Sequence, residues 1–148
     1  MLSDEMIING KRAVIRSFAK INLTLDILGK RSDGYHDVEM IMQTTSLSDM
    51  LVLEKRNSGI ILSSNLRYLP NNEKNLAYKA AKCFFEHTKI RGGIDIEINK
   101  NIPVAAGLAG GSGNCAAVLC ALNSLYNAEL DVSELCRIGA TLGADVPY

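Results

Sequence analysis

The sequence predicts an α+β fold, and three features carry that expectation. Apolar and polar residues alternate along Ile21, Leu23, Leu25 and Ile27, and again along Ile94, Ile96 and Ile98, which is the period of a strand with one apolar face. Leu76, Ala80, Cys83, Phe84 and His87 recur at the spacing of one helical face. A glycine- and alanine-rich run, residues 103–117, lies between the second alternating segment and a stretch without charge. Strand signals crowd the first third and helix signals the remainder, the order expected of an α+β domain.

Residues 13–18 and 21–28 are short apolar runs and read as strands. Residues 29–34 read as a turn, in which Asp33-Gly34 supplies the positive φ that a hairpin needs. Residues 38–45 and 50–54 read as further strands with a break at 47–49, and 59–62 as another, so the first third is expected to be a β meander. Asn71-Asn72 breaks the chain before a helix over about 74–88, and Gly92-Gly93 closes that region. A strand through Ile94–Ile98 leads into the glycine loop at 103–113, followed by a helix over about 114–127. Asp131 has the chemistry of an N-cap, with Glu134 at the capping-box position, for a helix over about 132–142. No repeat or linker divides the 148 residues, so one domain is expected.

Sixteen basic and sixteen acidic residues give zero net charge, which excludes a broad basic face for nucleic acid. With 47% hydrophobic and 22% charged residues the chain reads as a soluble globular protein, and with no Trp its core must be aliphatic. The first residues lack the apolar core of a signal peptide, so a cytoplasmic location is expected. Cys83, Cys115, Cys120 and Cys136 form no C-x-x-C and only two His accompany them, so reduced thiols are expected and no metal cluster. Residues 101–128 carry no charge and are long enough to cross a bilayer, but they hold Pro103 and four glycines, and their first third reads as a loop before a buried helix.

The loop is the most informative segment. Small residues let backbone N–H groups approach a ligand closely, and the following helix adds free N–H donors and a positive dipole end. Together these make a site for an anion, most often phosphate. A Walker A loop is excluded because no Lys follows Lys100. Gly111, Gly113 and Ala116 match a dinucleotide fingerprint, but the ribose-binding acid after a second strand is missing, since Asp131 opens a helix. A ligand-free reading also exists: small residues packing a helix tightly on a sheet.

Pro103, Gly107-Leu108, Ser112 and Ala116-Ala117 resemble the phosphate loop of the GHMP kinases. Two more segments strengthen this. Ala19-Lys20-Ile21-Asn22-Leu23 followed by Arg31-Ser32-Asp33-Gly34-Tyr35-His36, and Thr141-Leu142-Gly143-Ala144-Asp145-Val146-Pro147, resemble signatures of the GHMP kinases acting on 4-diphosphocytidyl-2-C-methyl-D-erythritol. Those enzymes phosphorylate a tertiary alcohol with ATP in the methylerythritol phosphate route to isoprenoid precursors. The resemblance implies the GHMP-kinase N-terminal, ATP-binding domain: a mixed or antiparallel sheet with helices on one side. It implies ATP as co-substrate, Mg²⁺, a cytidine-diphosphate-linked methylerythritol substrate, and neither nucleic acid nor membrane as partner.

The same resemblance makes Asp145 the catalytic carboxylate and Lys20 its partner, one group to orient or deprotonate the hydroxyl and one cation against developing charge. It places the substrate on Asn22, Tyr35 and His36, with Tyr35 stacked on the cytosine and His36 bonded to its edge. It places the adenine on Asn75 and Leu76, and the rest of the nucleotide on Pro103-Val104-Ala105-Ala106-Gly107-Leu108-Ala109-Gly110-Gly111-Ser112-Gly113. Without the resemblance, Lys20 reads as a solvated lysine, Asp145 as a turn carboxylate, Tyr35 and His36 as hairpin closers and Asn75 as a helix start.

This chain departs from the family loop, Gly-Leu-Gly-Gly-Gly-Ser-Ser-Asn-Ala-Ala, at Ala109, Gly113 and Cys115. Ala109 is a mild change if its φ is negative, and Gly113 leaves Ser112 as the loop's one hydroxyl. The family is nearly twice this length, so the sequence reads as an N-terminal half whose second half would pack against it, with apolar surface uncovered and little kinase activity alone. Another GHMP kinase, of homoserine or mevalonate type, or a non-catalytic nucleotide-binding domain, are the alternatives. Gly34-Tyr35-His36 favours the cytidyl substrate, and Lys20 together with Asp145 favours catalysis.

Overall fold

A computed structural model describes residues 6–32, 34 and 36–148. The expectations placed on residues 1–5, on Asp33 and on Tyr35 therefore lie outside the described residues. Among the described residues, five strands and three helices follow in the order β1 (Met6–Asn9), β2 (Arg12–Lys30), β3 (His36–Arg56), β4 (Gly59–Ser64), α1 (Leu76–Thr88), β5 (Gly93–Asn99), α2 (Gly110–Tyr126) and α3 (Val132–Leu142). The strands form one mixed sheet in the order β1-β2-β3-β5-β4. All neighbours are antiparallel except β4 and β5, which run parallel. The expected meander holds where β2 pairs with β3; β1 is an unexpected edge strand, and β4 crosses over to the far edge.

Two expected breaks are absent. Residues 13–18 and 21–28 fuse into β2, and 38–45 and 50–54 into β3, with 47–49 inside the strand. The two strands pair from Arg12↔Glu54 to Lys30↔His36, and register shifts at Phe18/Lys20, Asn22/Thr24 and Ile27/Gly29 absorb what reads as interruptions in the sequence. A bulge adds a residue and bends the strand without ending its ladder. Beyond Met50↔Asn99, the last pair of β3 with β5, β2 and β3 continue as a two-stranded ribbon. There Ile21, Leu23, Leu25 and Ile27 alternate as expected but are all exposed.

The core lies between the other half of the sheet and the helices. Ile15, Leu51, Leu53, Ile94, Ile96 and Ile98 from the strands meet Phe84 of α1 and Val118, Leu119 and Leu122 of α2, all essentially buried. The α1 helix begins where Asn75 accepts the Ala77 N–H, and α3 where Asp131 and Glu134 complete the expected capping box. The α2 helix starts at Gly110, four residues earlier than the glycine content suggests. Its glycines are there for close packing: a Cβ on Gly110 would lie 2.7 Å from Lys100 Nζ and 2.9 Å from Ile102 Cγ2. Among the described residues no helix is long and apolar enough to cross a membrane, so the uncharged stretch 101–128 resolves into a loop and α2.

All four cysteines are free. Cys115 is buried against the core, and burial, with Cys83 nearby, pushes its thiol up to about 12. An unfolded thiol ionises nearer 8.5, so the folded chain retains this proton over a pH range in which the unfolded chain has lost it. The stability that Cys115 contributes is therefore complete below about pH 8.5 and is lost as pH rises toward 12, by at most ~1.4 kcal/mol per pH unit. Urea unfolding between pH 8 and 10.5 should show this decline, and Cys115→Ala should flatten it; an unchanged slope would contradict the assignment.

Candidate nucleotide and phosphoryl-transfer site

The glycine loop leaves the end of β5 and climbs to the start of α2. It turns through left-handed backbone at Ala105, Gly107 and Ala109 (φ 58°, 74° and 55°). A non-glycine residue there costs on the order of 1 kcal/mol. Ala109 is therefore a strained replacement for the family's glycine, not the mild one expected for negative φ. Ala109 is also the N-cap of α2, and it offers no side-chain acceptor to the first turn. The N–H groups of Gly110, Gly111 and Ser112 are the donors that every helix leaves free, and no acidic residue in the first turn competes for them. Residues 103–107 and Gly111 are exposed, so the loop faces solvent.

Lys20 sits opposite. It lies in β2 at the first register shift, its side chain is buried, and its own N–H donates to the Leu108 carbonyl at 3.1 Å. That bond sews the loop to the sheet. Lys20 Nζ donates to Asn22 Oδ1 at 3.0 Å and lies 3.6 Å from Asp145 Oδ2. Asp145 stands in the turn after α3, half exposed. Its neighbour Val146 anchors the turn, buried against Gly139, where a Cβ would come within 2.8 Å of Val146 Cγ1. Lys20, Asp145, Ala109 and Gly113 border one cleft of about 610 Å³.

The structure thus brings together Lys20, Asn22, Asp145 and the loop, residues drawn from both ends of the sequence. It does not bring His36 to them. His36 pairs with Lys30 near the ribbon tip, ten residues along β2 from Lys20, about 30 Å of strand at the ordinary rise. Asn75 has a visible structural role, since its amide accepts from Ala77 N and donates to the Pro70 carbonyl. Leu76 reaches the first turn of α2, its Cδ1 3.6 Å from where a Cβ on Gly111 would lie.

Five residues near the loop escape sequence reasoning. Asp49 and Lys100 form a buried ion pair at 2.5 Å, and Asp49 also accepts the N–H groups of Asn101 and Ile102, each at 2.8 Å. Asn65 accepts the Lys100 N–H and donates to its carbonyl. Ser17 is buried with its hydroxyl lacking a protein partner, as is the Asn114 carbonyl oxygen in the first turns of α2. The one available signal was a lysine placed immediately before a long uncharged stretch.

The chain is similar to 4-diphosphocytidyl-2-C-methyl-D-erythritol kinase of Clostridium novyi (strain NT), 51% identical over 133 residues, covering 90% of this chain and 48% of the relative. The same enzyme of Clostridium beijerinckii is 54% identical over 134 residues, with the same shares covered. The chain spans about half the length of the curated relatives it matches. A crystal structure of 4-(cytidine 5'-diphospho)-2C-methyl-D-erythritol kinase superposes with a TM-score of 0.78 at 42% identity, covering 90% of this chain and 47% of that one. A homoserine kinase from Cytophaga hutchinsonii, 22% identical, shares the fold with a TM-score of 0.66 over 87% of this chain and 40% of its own.

Gly113 departs from the family loop for a reason visible in the packing. A Cβ there would lie 2.6 Å from Ser17 Oγ and 3.4 Å from the Phe18 carbonyl oxygen. Gly113 and Ser17 therefore share one space. Gly113→Ser should destabilise the chain by about 1–3 kcal/mol in urea unfolding, as overpacking does. Adding Ser17→Ala should recover most of that loss, whereas simple additivity would contradict the shared space. The same loop lies inside residues 75–148, which match the family model described as GHMP kinases N terminal domain, and it is to the GHMP kinases that this chain belongs.

Proposed function

We propose that the chain forms the ATP-binding and catalytic part of a kinase that phosphorylates 4-diphosphocytidyl-2-C-methyl-D-erythritol. One observation carries this reading: Lys20 and Asp145, 125 positions apart, meet at 3.6 Å beside the loop. A domain that merely bound nucleotide would need no such pair. The loop and the first turn of α2 hold the phosphates through backbone N–H groups, which explains how a chain of zero net charge grips a polyanion. Asp145 orients the substrate hydroxyl and takes its proton. Lys20, kept in place by Asn22 and by its own backbone, faces the charge that develops in transfer.

The residues present fit magnesium as such kinases use it. No group of three or more His, Cys, Asp or Glu that suits a metal occurs among the described residues. Magnesium usually takes only one or two protein ligands and completes its shell with phosphates and water. Asp145 and Ser112 are the oxygen donors that would hold it; Ser112 Oγ lies 4.0 Å from where a Cβ on Gly143 would stand, two residues before Asp145. When bound, the ion neutralises phosphate charge.

Asn22, Tyr35 and His36 are proposed to hold the substrate, Tyr35 and His36 at its cytidine end. That role requires the ribbon tip to approach Lys20, and the register shifts at Asn22/Thr24 and Ile27/Gly29 are where β2 bends. The exposed apolar residues of the ribbon are proposed to pack against the further half that the relatives possess. Asn75 and Leu76 line the adenine side, and the protein works in the cytoplasm.

The test pairs binding with turnover. The 148-residue chain should bind ATP and release little ADP, while the same chain extended to the length of its relatives should turn over. In the extended protein Asp145→Ala should lower kcat by about 10²–10⁴-fold. Turnover near the parent rate in Asp145→Ala would overturn the catalytic assignment.

A further inference from the structure

We propose that Asp49 is a positioning residue for the phosphate loop, acting through its buried partner Lys100. This inference rests on the nucleotide-binding reading above. Three observations support it. Asp49 is the first residue of β3 beyond Met50↔Asn99, the last pair with β5, so it stands where β5 peels away from the sheet. Its carboxylate is fully buried, and Oδ1 accepts the N–H groups of Asn101 and Ile102, the residues that lead into the loop. Its other oxygen, Oδ2, holds Lys100 Nζ.

Lys100 carries the restraint across to the other end of the loop. Its ammonium lies 2.7 Å from where a Cβ on Gly110 would be, against the first residue of α2. The Lys100 backbone is itself gripped on both sides by Asn65, just beyond β4. One charge pair thus sets where the loop starts, at Ile102, and what it must clear on arrival, at Gly110. Between these points Pro103 to Ala109 includes two left-handed alanines, a shape that needs fixed ends to persist. Neither Asp49 nor Lys100 opens to the cleft that Lys20 and Asp145 border, so Asp49 shapes the site without touching a ligand.

Two variants of the 148-residue chain test this. Asp49→Asn keeps the shape and removes the charge. Asp49→Leu with Lys100→Met replaces the ion pair by apolar groups, an exchange that buried ion pairs often tolerate, and leaves the Asn101 and Ile102 N–H groups without their acceptor. Amide hydrogen exchange over residues 101–113 is compared with exchange in α1 and α3, and ATP affinity is measured by calorimetry. The expected result is a cooperatively folded double variant with loop exchange at least tenfold faster, helix exchange unchanged, and ATP bound at least tenfold more weakly. Parent-like loop exchange in the folded double variant would overturn the proposal. So would the unfolding of both variants, which would make the pair a determinant of the whole fold. If the parent chain binds no ATP while loop exchange responds as expected, the nucleotide reading fails and the positioning role stands.

Discussion

The Asp49 carboxylate, fully buried and satisfied by two backbone N–H groups and one ammonium, is the point on which the loop's departure from the sheet depends. A buried charge costs several kcal/mol to desolvate and persists only where its partners are complete. Here they are supplied by residues 100–102, which have just lost their strand partners. The ladder of β5 ends and a side chain of β3 takes over its hydrogen bonds, so the chain can leave the sheet without stranding buried N–H groups. Farther along, the loop meets β2, where the Lys20 amide donates to the Leu108 carbonyl. Asp145 arrives separately, on a turn pinned by Val146 under α3.

The site is built mostly from backbone. Its donors are helix N–H groups, its space comes from missing Cβ atoms, and Lys20 and Asp145 set an ion pair beside it. This economy has a cost in conformation, since Ala105 and Ala109 occupy left-handed backbone where glycine would sit without strain. It also couples the loop to the sheet beneath it, as Gly113 and Ser17 show by sharing one space. A departure from the family pattern that reads as a lost hydroxyl is, in the packing, an accommodation between strand and helix.

Local chemistry was legible in the sequence wherever it decided the outcome locally. The α3 helix, its Asp131 cap and the Glu134 capping box match the expectation because propensity, cap and periodicity all agree there. The α1 helix and β5 were legible for the same reason. The lengths of β2 and β3 were not, because bulges hide continuity that only the opposite strand reveals. The start of α2 was masked by glycines whose purpose is tertiary: Gly110 clears Lys100 and Gly113 clears Ser17. The meeting of Lys20 with Asp145 followed from motif resemblance alone, since no local pattern joins residues so far apart. Asp49 carried no signal, being one carboxylate in a strand whose partner lies 51 positions away.

The central claim is that this loop and the first turn of α2 receive a nucleotide's phosphates beside Lys20 and Asp145. An amide NMR titration of the 148-residue chain with a non-hydrolysable ATP analogue tests it most directly. The account predicts the largest shift changes at residues 105–113 and at the Lys20 amide that bonds the loop, with little change on the ribbon beyond Thr24. Saturable shifts confined to other regions, or none at millimolar analogue, would contradict it.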